Sequence, residues 1–257
     1  MFLTFFSSSC NDNTPKNTDP KGVFLKKVFQ KDGNKMPYQI LLPKNYYSKK
    51  EYPLLLFLHG AGERGDDNEL QLVHGSKMFL EKEVQEKYPA IVVFPQCAKE
   101  SYWSNVNGEQ VDGGYKFTFS EGGEPTAAMK SLQLLLNDLM ANYKIDSKRM
   151  YVGGLSMGGM GTFELVYRNP NTFAGAFAVC GGANIATASK MTNTNWWVFH
   201  GQEDGVVDHQ YSVDMVNALK AAGAEVKFSS YPEVNHDSWT NAFAEPDFLS
   251  WIFAQRL

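Results

Sequence analysis

A serine with a glycine two residues away on each side is the first candidate for chemistry in this sequence. Ser156 lies between Gly154 and Gly158. It follows the predicted strand Met150–Gly153 and precedes the predicted helix Met157–Arg168. The pattern G-x-S-x-G at a sharp strand-to-helix turn is typical of a serine nucleophile, and the residues flanking such a turn must lack bulk. The alternative is a glycine-rich turn without chemistry, so the partners of Ser156 decide between the two.

A serine hydroxyl is a weak nucleophile and needs a base, which is usually a histidine. In the chain order serine, acid, histidine, the base comes after the last strand. His236 fits this order because it follows the predicted strand Val226–Tyr231. The remaining histidines are interpreted as loop supports at strand ends, His59 and His200, or as surface helix residues, His74 and His209.

The acid that orients the imidazole is expected in the turn after the predicted strand Trp196–His200. Asp204 is the preferred candidate, because it lies just past the strand end with Gly205 beside it. Asp208 is the rival, but it stands at the predicted start of a helix, where an N-cap role explains it. Glu203 is the third candidate.

An acyl-transfer enzyme also needs hydrogen-bond donors for the oxyanion that develops on the substrate. The backbone N–H of Met157, directly after the serine, is one expected donor. The other is expected in the loop His59–Gly65, which follows an apolar strand and contains small residues. Within it the N–H of Ala61 is the first candidate and that of Gly62 the second.

The elements that must position these residues alternate between strand and helix. Val23–Gln30 and Met36–Leu42 predict an antiparallel hairpin at the start of the domain. Continuous apolar runs then predict strands buried on both faces, at Pro53–Leu58, Ala90–Pro95, Met150–Gly153, Ala174–Cys180 and Trp196–His200, with Val226–Tyr231 nearer an edge. Helical patterns lie between or after them, at Glu69–Lys87, Ala127–Tyr143, Met157–Arg168, Tyr211–Ala222 and Phe243–Arg256. This order predicts an α/β fold with a mostly parallel sheet, helices on both faces, and reactive groups at the carboxyl ends of the strands.

Several motifs in this order resemble a family of bacterial α/β-hydrolases. These are carboxylesterases related to feruloyl and acetyl xylan esterases, often labelled predicted peptidases. The motifs are His59–Gly65, Pro95–Cys97 with Trp103, Gly154–Gly159, His200–Asp204 and His236–Trp239. The resemblance spans about Val23 to the C-terminus and implies the α/β-hydrolase fold. It also implies a carboxylesterase with Ser156, Asp204 and His236 as its triad, and no cofactor or metal.

The substrate follows less directly from the residues. Trp103 and Trp239 lie in predicted loops past strand ends and are expected to line the pocket, where aromatic faces suit sugar rings or phenolic acyl groups. Ordinary packing is the alternative for both. The segment Ser101–Glu124, rich in Gly and Asn, is expected to shape a lid or a substrate cleft.

The leading hypothesis is a serine esterase that acts on feruloyl or acetyl groups of plant polysaccharides, or on short acyl esters generally. One alternative is a prolyl-oligopeptidase-like serine peptidase, although such enzymes usually carry a large additional domain. Another is a non-catalytic surface lipoprotein that binds glycans. The net charge of −4 over 257 residues, without a basic stripe, argues against nucleic acid as a partner. The oligomeric state stays open.

The first 21 residues differ in character from the rest. An apolar stretch, Met1–Phe6, is followed by small residues, by Cys10 and by a polar run up to Lys21. This pattern indicates the end of a lipoprotein signal peptide with Cys10 as the lipidated residue, although the stretch is short and lacks basic residues. A start codon upstream of the assigned one would explain both. We therefore expect a tether over residues 1–21, a catalytic domain over 22–257, and export to the cell envelope or periplasm.

Two further cysteines, Cys97 and Cys180, leave a disulfide open in an exported protein. Nothing in their spacing requires one, so buried free thiols are the favoured interpretation.

Overall fold

The computed structural model describes residues 22–46, 50–112 and 114–257. The predicted tether over residues 1–21 and the predicted lipidation of Cys10 lie outside these ranges and stay predictions. In the part of the chain that is described, no helix is long and apolar enough to cross a membrane.

An eight-stranded sheet forms the centre of the protein. Its strands are β1 Phe24–Lys31, β2 Asn34–Leu41, β3 Tyr52–Leu58, β4 Ile91–Pro95, β7 Ile145–Leu155, β8 Gly175–Val179, β9 Asn195–Gly201 and β10 Val226–Tyr231. Their order across the sheet is β1-β2-β4-β3-β7-β8-β9-β10. The pairs β1–β2 and β2–β4 are antiparallel, and the other neighbours are parallel. This confirms the predicted architecture, including the hairpin at its start and the edge position of the last strand.

The composition of β3 explains why both faces of the sheet are covered. All seven of its residues are buried. Side chains alternate along a strand, so Leu54, Leu56 and Leu58 pack into the core on one face of the sheet. Leu55 and Phe57 pack into the core on the opposite face. A strand with no polar face is stable only between two layers of helix.

Helices supply those two layers. The elements are α1 Lys82–Lys87, α2 Ala127–Asn142, α3 Met157–Arg168, α4 His209–Ala221, α5 Trp239–Ala244 and α6 Phe248–Ala254. Helices α2, α3 and α4 contribute apolar side chains to the first core, and α5 and α6 to the second. Helix α2 is capped by Thr126, whose hydroxyl accepts a hydrogen bond from the N–H of Met129.

Two predicted helices are wrong in extent. The predicted helix Glu69–Lys87 is replaced by short 3-10 turns at Leu70–Leu72 and Lys77–Leu80 and by the short α1. Gly75 interrupts it with a φ of 78°, in the left-handed region that a right-handed helix cannot pass through. The last predicted helix divides into α5 and α6 around Pro246, which cannot donate a helical hydrogen bond.

A two-stranded hairpin, β5 Val106–Val111 and β6 Gly114–Phe119, occupies the segment expected to form a lid or cleft. It stands apart from the main sheet and approaches the loop after β9. Tyr115 forms a parallel bridge with Val207, and a Cβ on Gly114 would lie 2.6 Å from the carbonyl oxygen of Gly205. The hairpin therefore lies at the carboxyl end of the sheet, beside the loop that carries Asp204.

Candidate active site

Ser156 occupies a sharp turn between β7 and α3. Its φ of 52° and ψ of −118° are uncommon for a residue with a side chain. The turn is so tight that a Cβ on Gly158 would lie 1.9 Å from the carbonyl oxygen of Leu58. A Cβ on Gly154 would lie 2.6 Å from the backbone of Gly158. Glycine at both positions is thus a steric requirement of the turn that presents the serine.

Three residues from three separate strand ends meet at this turn. The Nε2 atom of His236, after β10, lies 3.0 Å from the Oγ atom of Ser156. Its Nδ1 atom lies 2.8 Å from the Oδ2 atom of Asp204, after β9. The Asp204 side chain is fully buried, while that of His236 is 21% exposed. This is the geometry of a nucleophile, a base and an orienting acid.

The Asp204 carboxylate has hydrogen-bond donors on both oxygens. Its Oδ1 atom accepts from the backbone N–H groups of Val206 and Val207, each at 2.9 Å. Its Oδ2 atom faces His236 and also the buried Nε2 atom of His200, at 3.1 Å. Burial alone would raise the pKa of Asp204, but the hydrogen bonds from His200 and His236 outweigh it and lower that pKa well below its usual range. Asp204 is therefore a carboxylate at neutral pH.

The sequence position of His200 suggests that it supports a loop, but its side chain also contacts Asp204. Its second ring nitrogen, Nδ1, lies 2.7 Å from the hydroxyl oxygen of Ser212, which donates to the carbonyl of Gly181. The imidazole is thus held between α4 and the acid. The motif His-Gly-Gln-Glu-Asp places His200 four residues before Asp204, and this spacing was the available sequence signal for a role of His200 at the site. Spacing alone does not reveal that the two side chains are in contact.

The rival acids occupy other positions. Asp208 is the N-cap of α4, where its side chain accepts a hydrogen bond from the N–H of Gln210 at 2.8 Å. Glu203 is exposed. Among the described residues neither forms an ion pair with His236, whereas Asp204 does.

The expected oxyanion donors both lie at the start of a helical turn. Met157 is the first residue of α3, so its N–H has no acceptor within the helix. Ala61 begins a 3-10 turn, Ala61–Glu63, in which the N–H of Glu63 reaches back to the carbonyl of Gly60 at 3.4 Å. The N–H groups of Ala61 and Gly62 precede that bond. Their use by a substrate oxygen stays a prediction.

The loop His59–Gly65 carries the predicted donors Ala61 and Gly62 and is named the oxyanion loop for that prediction. His59 holds it in place, as its position at a strand end suggested. Burial lowers the pKa of His59 to about 4, so its ring is neutral at pH 7. Its Nδ1–H donates to the carbonyl of Gly60 at 2.6 Å, and its Nε2 accepts from the N–H of Cys97 at 2.9 Å. A neutral imidazole with one donor and one acceptor satisfies both contacts.

Trp103 does not fit the prediction that it lines the substrate pocket. Its side chain is fully buried, and its indole N–H donates to the carbonyl of His59 at 3.1 Å. A Cβ on Gly161 of α3 would lie 2.4 Å from the Cβ of Trp103. The indole is therefore clamped between the oxyanion loop and the helix behind Ser156, where it supports both.

Trp239, in contrast, lies beside the triad at the start of α5. Its ring is 5.6 Å from that of His236, edge to face. On its other side it contacts His74, with ring centroids 5.1 Å apart. His74 is therefore not the surface helix residue that its sequence position suggests. It lies in a turn and is about one-third exposed, with its ring towards the site.

The described cysteines are free and buried, as favoured from the sequence. Cys180 lies behind the triad, where its sulfur, an oxygen of Asp204 and a nitrogen of His236 are within 4.8 Å of one another. This set does not fit a metal ion well. Burial raises the pKa of the Cys180 thiol far above its usual range, and the other two groups are hydrogen-bonded to each other.

Comparisons with known proteins show the family of this chain. The phospholipase/carboxylesterase family matches residues 46–249. Lysophospholipase-like protein 1 of Mus musculus is 26% identical over 212 residues, which cover 78% of this chain and 86% of that protein. The crystal structure of a thermostable esterase is 32% identical, with a TM-score of 0.82, and the match covers 91% of this chain but 63% of that one.

A ferulic acid esterase from Anaeromyces mucronatus, solved in complex with ferulic acid, has a TM-score of 0.64 over 98% of both chains. At 14% identity, this likeness shows the fold alone.

Proposed function

Because this chain belongs to the phospholipase/carboxylesterase family of α/β-hydrolases, we propose that it hydrolyses carboxylic esters through an acyl-enzyme formed on Ser156. The observation that carries this proposal is the unbroken line of hydrogen bonds from Ser156 through His236 to the buried carboxylate of Asp204.

The first step forms the acyl-enzyme. The Oγ atom of Ser156 attacks the ester carbonyl as its proton passes to the Nε2 atom of His236. Asp204, whose carboxylate faces the Nδ1–H, stabilises the imidazolium that results. The negative charge on the carbonyl oxygen is taken up by the N–H groups of Ala61 and Met157. The tetrahedral intermediate then expels the alcohol, which receives the proton from His236.

The second step releases the acid. Water takes the place of the alcohol and gives a proton to His236 as its oxygen attacks the acyl carbonyl. Collapse of the second tetrahedral intermediate breaks the bond to Ser156, whose Oγ atom regains the proton. The net reaction consumes one water and yields one acid and one alcohol.

The substrate class that we propose is an acetyl or feruloyl ester of a plant polysaccharide. One feature supports it. The ring of Trp239 beside His236 offers an aromatic face to a phenolic or sugar group. A cleft of about 730 Å³, whose lining includes Arg64, Ser101, Tyr102, Asn105 and Thr126, adjoins the loop His59–Gly65 through Arg64. None of its lining residues belongs to the triad. Such a substrate accords with the predicted export and the predicted lipid anchor at Cys10.

The test is a substrate panel run with the wild type and with Ser156→Ala. The panel contains 4-nitrophenyl esters of increasing chain length, methyl ferulate, acetylated xylan and a proline-containing chromogenic peptide. We expect the wild type to hydrolyse 4-nitrophenyl acetate and at least one of the two plant-type substrates, and the variant to hydrolyse none.

Equal turnover of 4-nitrophenyl acetate by both proteins would refute the esterase proposal and favour a binding protein. Cleavage of the peptide in preference to every ester would favour a peptidase.

A further inference from the structure

A second acid–imidazole pair lies beside the triad. Glu63, at the end of the oxyanion turn, directs its Oε1 atom towards the Nε2 atom of His74, 3.9 Å away. The Glu63 side chain is 15% exposed and that of His74 34% exposed. The mechanism above uses neither residue.

The carboxylate of Glu63 lacks the hydrogen bonds that a buried charge needs. Its Oε2 atom is buried and has no hydrogen-bond partner among the described residues. It lies 3.0 Å from the position that a Cβ on Gly60 would take, so it is folded against the oxyanion loop. Burial of this oxygen is costly for a carboxylate, and because the charge is shared by both oxygens, a hydrogen bond that a ligand donates to Oε1 offsets part of the cost.

Glu63 and His74 can be bridged from the side by one hydroxyl group. At 3.9 Å the two atoms are too far apart for a direct hydrogen bond. A hydroxyl oxygen about 2.8 Å from each atom donates its proton to the carboxylate and accepts the imidazole N–H. An alkyl group in the same place would leave both polar groups without partners.

The pair is connected to His236 through Trp239. His74 packs on Trp239, which packs on His236. His236 is the residue that protonates the leaving alcohol, so the alcohol oxygen is next to this ring during the reaction. Glu63 is two residues from the expected oxyanion donor Ala61. The contacts through Trp239 place the pair on the His236 side of the site, where the alcohol is protonated.

We propose that Glu63 and His74 form a subsite for a free hydroxyl on the alcohol portion of the substrate. The enzyme then selects esters of polyols and sugars, in which a hydroxyl neighbours the ester, over esters of simple alkanols. This inference rests on the proposed esterase function and specifies its leaving group.

The experiment compares two acetate esters that differ by one hydroxyl, 2-hydroxyethyl acetate and ethyl acetate. We expect the wild type to have a kcat/KM about tenfold higher for the hydroxyl ester than for ethyl acetate. One hydrogen bond to a charged group stabilises the transition state by enough to give a factor of about this size. In His74→Phe this ratio falls to within about twofold of the ratio for uncatalysed hydrolysis of the two esters. In Glu63→Gln it falls part of the way, because the amide oxygen still accepts a hydrogen bond but carries no charge. His74→Phe keeps a ring against Trp239 and removes only the N–H.

Glu83→Gln is the matched control, because Glu83 is exposed on α1. It should keep the wild-type ratio. The ratio is insensitive to the fraction of folded enzyme, so a variant that folds poorly still reports on the subsite.

Two results overturn the inference. The first is a wild-type ratio no larger than that of uncatalysed hydrolysis. The second is an unchanged ratio in Glu63→Gln and His74→Phe, including the case in which activity on both esters falls equally, which indicates a structural role. If the wild type hydrolyses neither ester faster than Ser156→Ala does, the esterase function itself fails and the inference fails with it.

Discussion

The substitution Asp204→Asn tests the proposed triad most directly, because the carboxylate has two N–H donors on each oxygen. The backbone N–H groups of Val206 and Val207 point at Oδ1, and the imidazoles of His236 and His200 point at Oδ2. An amide replaces one acceptor oxygen with an NH2 group. Whichever way the amide turns, its NH2 meets two groups that also donate.

The two orientations have different costs. If the NH2 group faces the backbone, two buried N–H groups lose their acceptor, at about 1–3 kcal/mol each. If it faces His236, the imidazole must accept at Nδ1 and carry its proton on Nε2. That tautomer cannot take the proton of Ser156. The neutral amide also cannot stabilise the imidazolium by charge. We expect kcat to fall by about 10³- to 10⁴-fold, which corresponds to roughly 4–5.5 kcal/mol in the barrier.

The assay is steady-state hydrolysis of 4-nitrophenyl acetate at about pH 7.5, near the neutral range in which a histidine base works, with thermal unfolding as a check on the fold. Asp208→Asn is the matched control. Asparagine caps a helix as well as aspartate does, so this variant should keep activity within about twofold. Equal losses in the two variants, or a loss only in Asp208→Asn, would contradict the assignment of Asp204 as the acid.

Two further predictions concern the loops that hold the site. Gly158→Ala should destabilise the protein by about 3 kcal/mol in urea unfolding, because its Cβ would collide with the carbonyl of Leu58. Gly62→Ala, whose Cβ meets nothing within 4 Å, should unfold like the wild type, and equal stability of the two variants would contradict this steric account. His59 has a folded-state pKa of about 4 against an ordinary value of 6.5, so only the unfolded chain takes up its proton as the pH falls from 6.5 towards 4. Between about pH 7.5 and 5 the wild type should therefore lose about 2 kcal/mol more unfolding free energy than His59→Gln, and parallel losses would show that His59 does not titrate this way.

Local requirements made much of this protein predictable. The turn at Ser156 needs glycines at fixed spacing, so it can be recognised from the neighbouring residues in the sequence. Continuous apolar runs such as Pro53–Leu58 suit strands buried on both faces, and these indicated a mostly parallel sheet. Because parallel strands end at one edge of the sheet, chain order indicated His236 and the segment after β9 as partners of Ser156. Within that segment, the N-cap position of Asp208 favoured Asp204. The structure brings all three within hydrogen-bonding distance.

Other features depend on how loops pack, which local spacing does not report. Trp103 and Trp239 both follow strand ends in the sequence, yet one is clamped under the oxyanion loop and the other lies beside His236. A predicted helix breaks at Gly75, whose left-handed conformation no periodicity shows.

The contact of His200 with Asp204 and the gap between Glu63 and His74 join residues whose side-chain directions the sequence does not reveal. The sequence by itself determined the candidate nucleophile, base and acid and the sheet and helices that position them, because these depend on local sterics and on the hydrophobic pattern. Only the tertiary structure decided which side chains surround that chemistry, because side-chain direction in a loop is set by its distant neighbours.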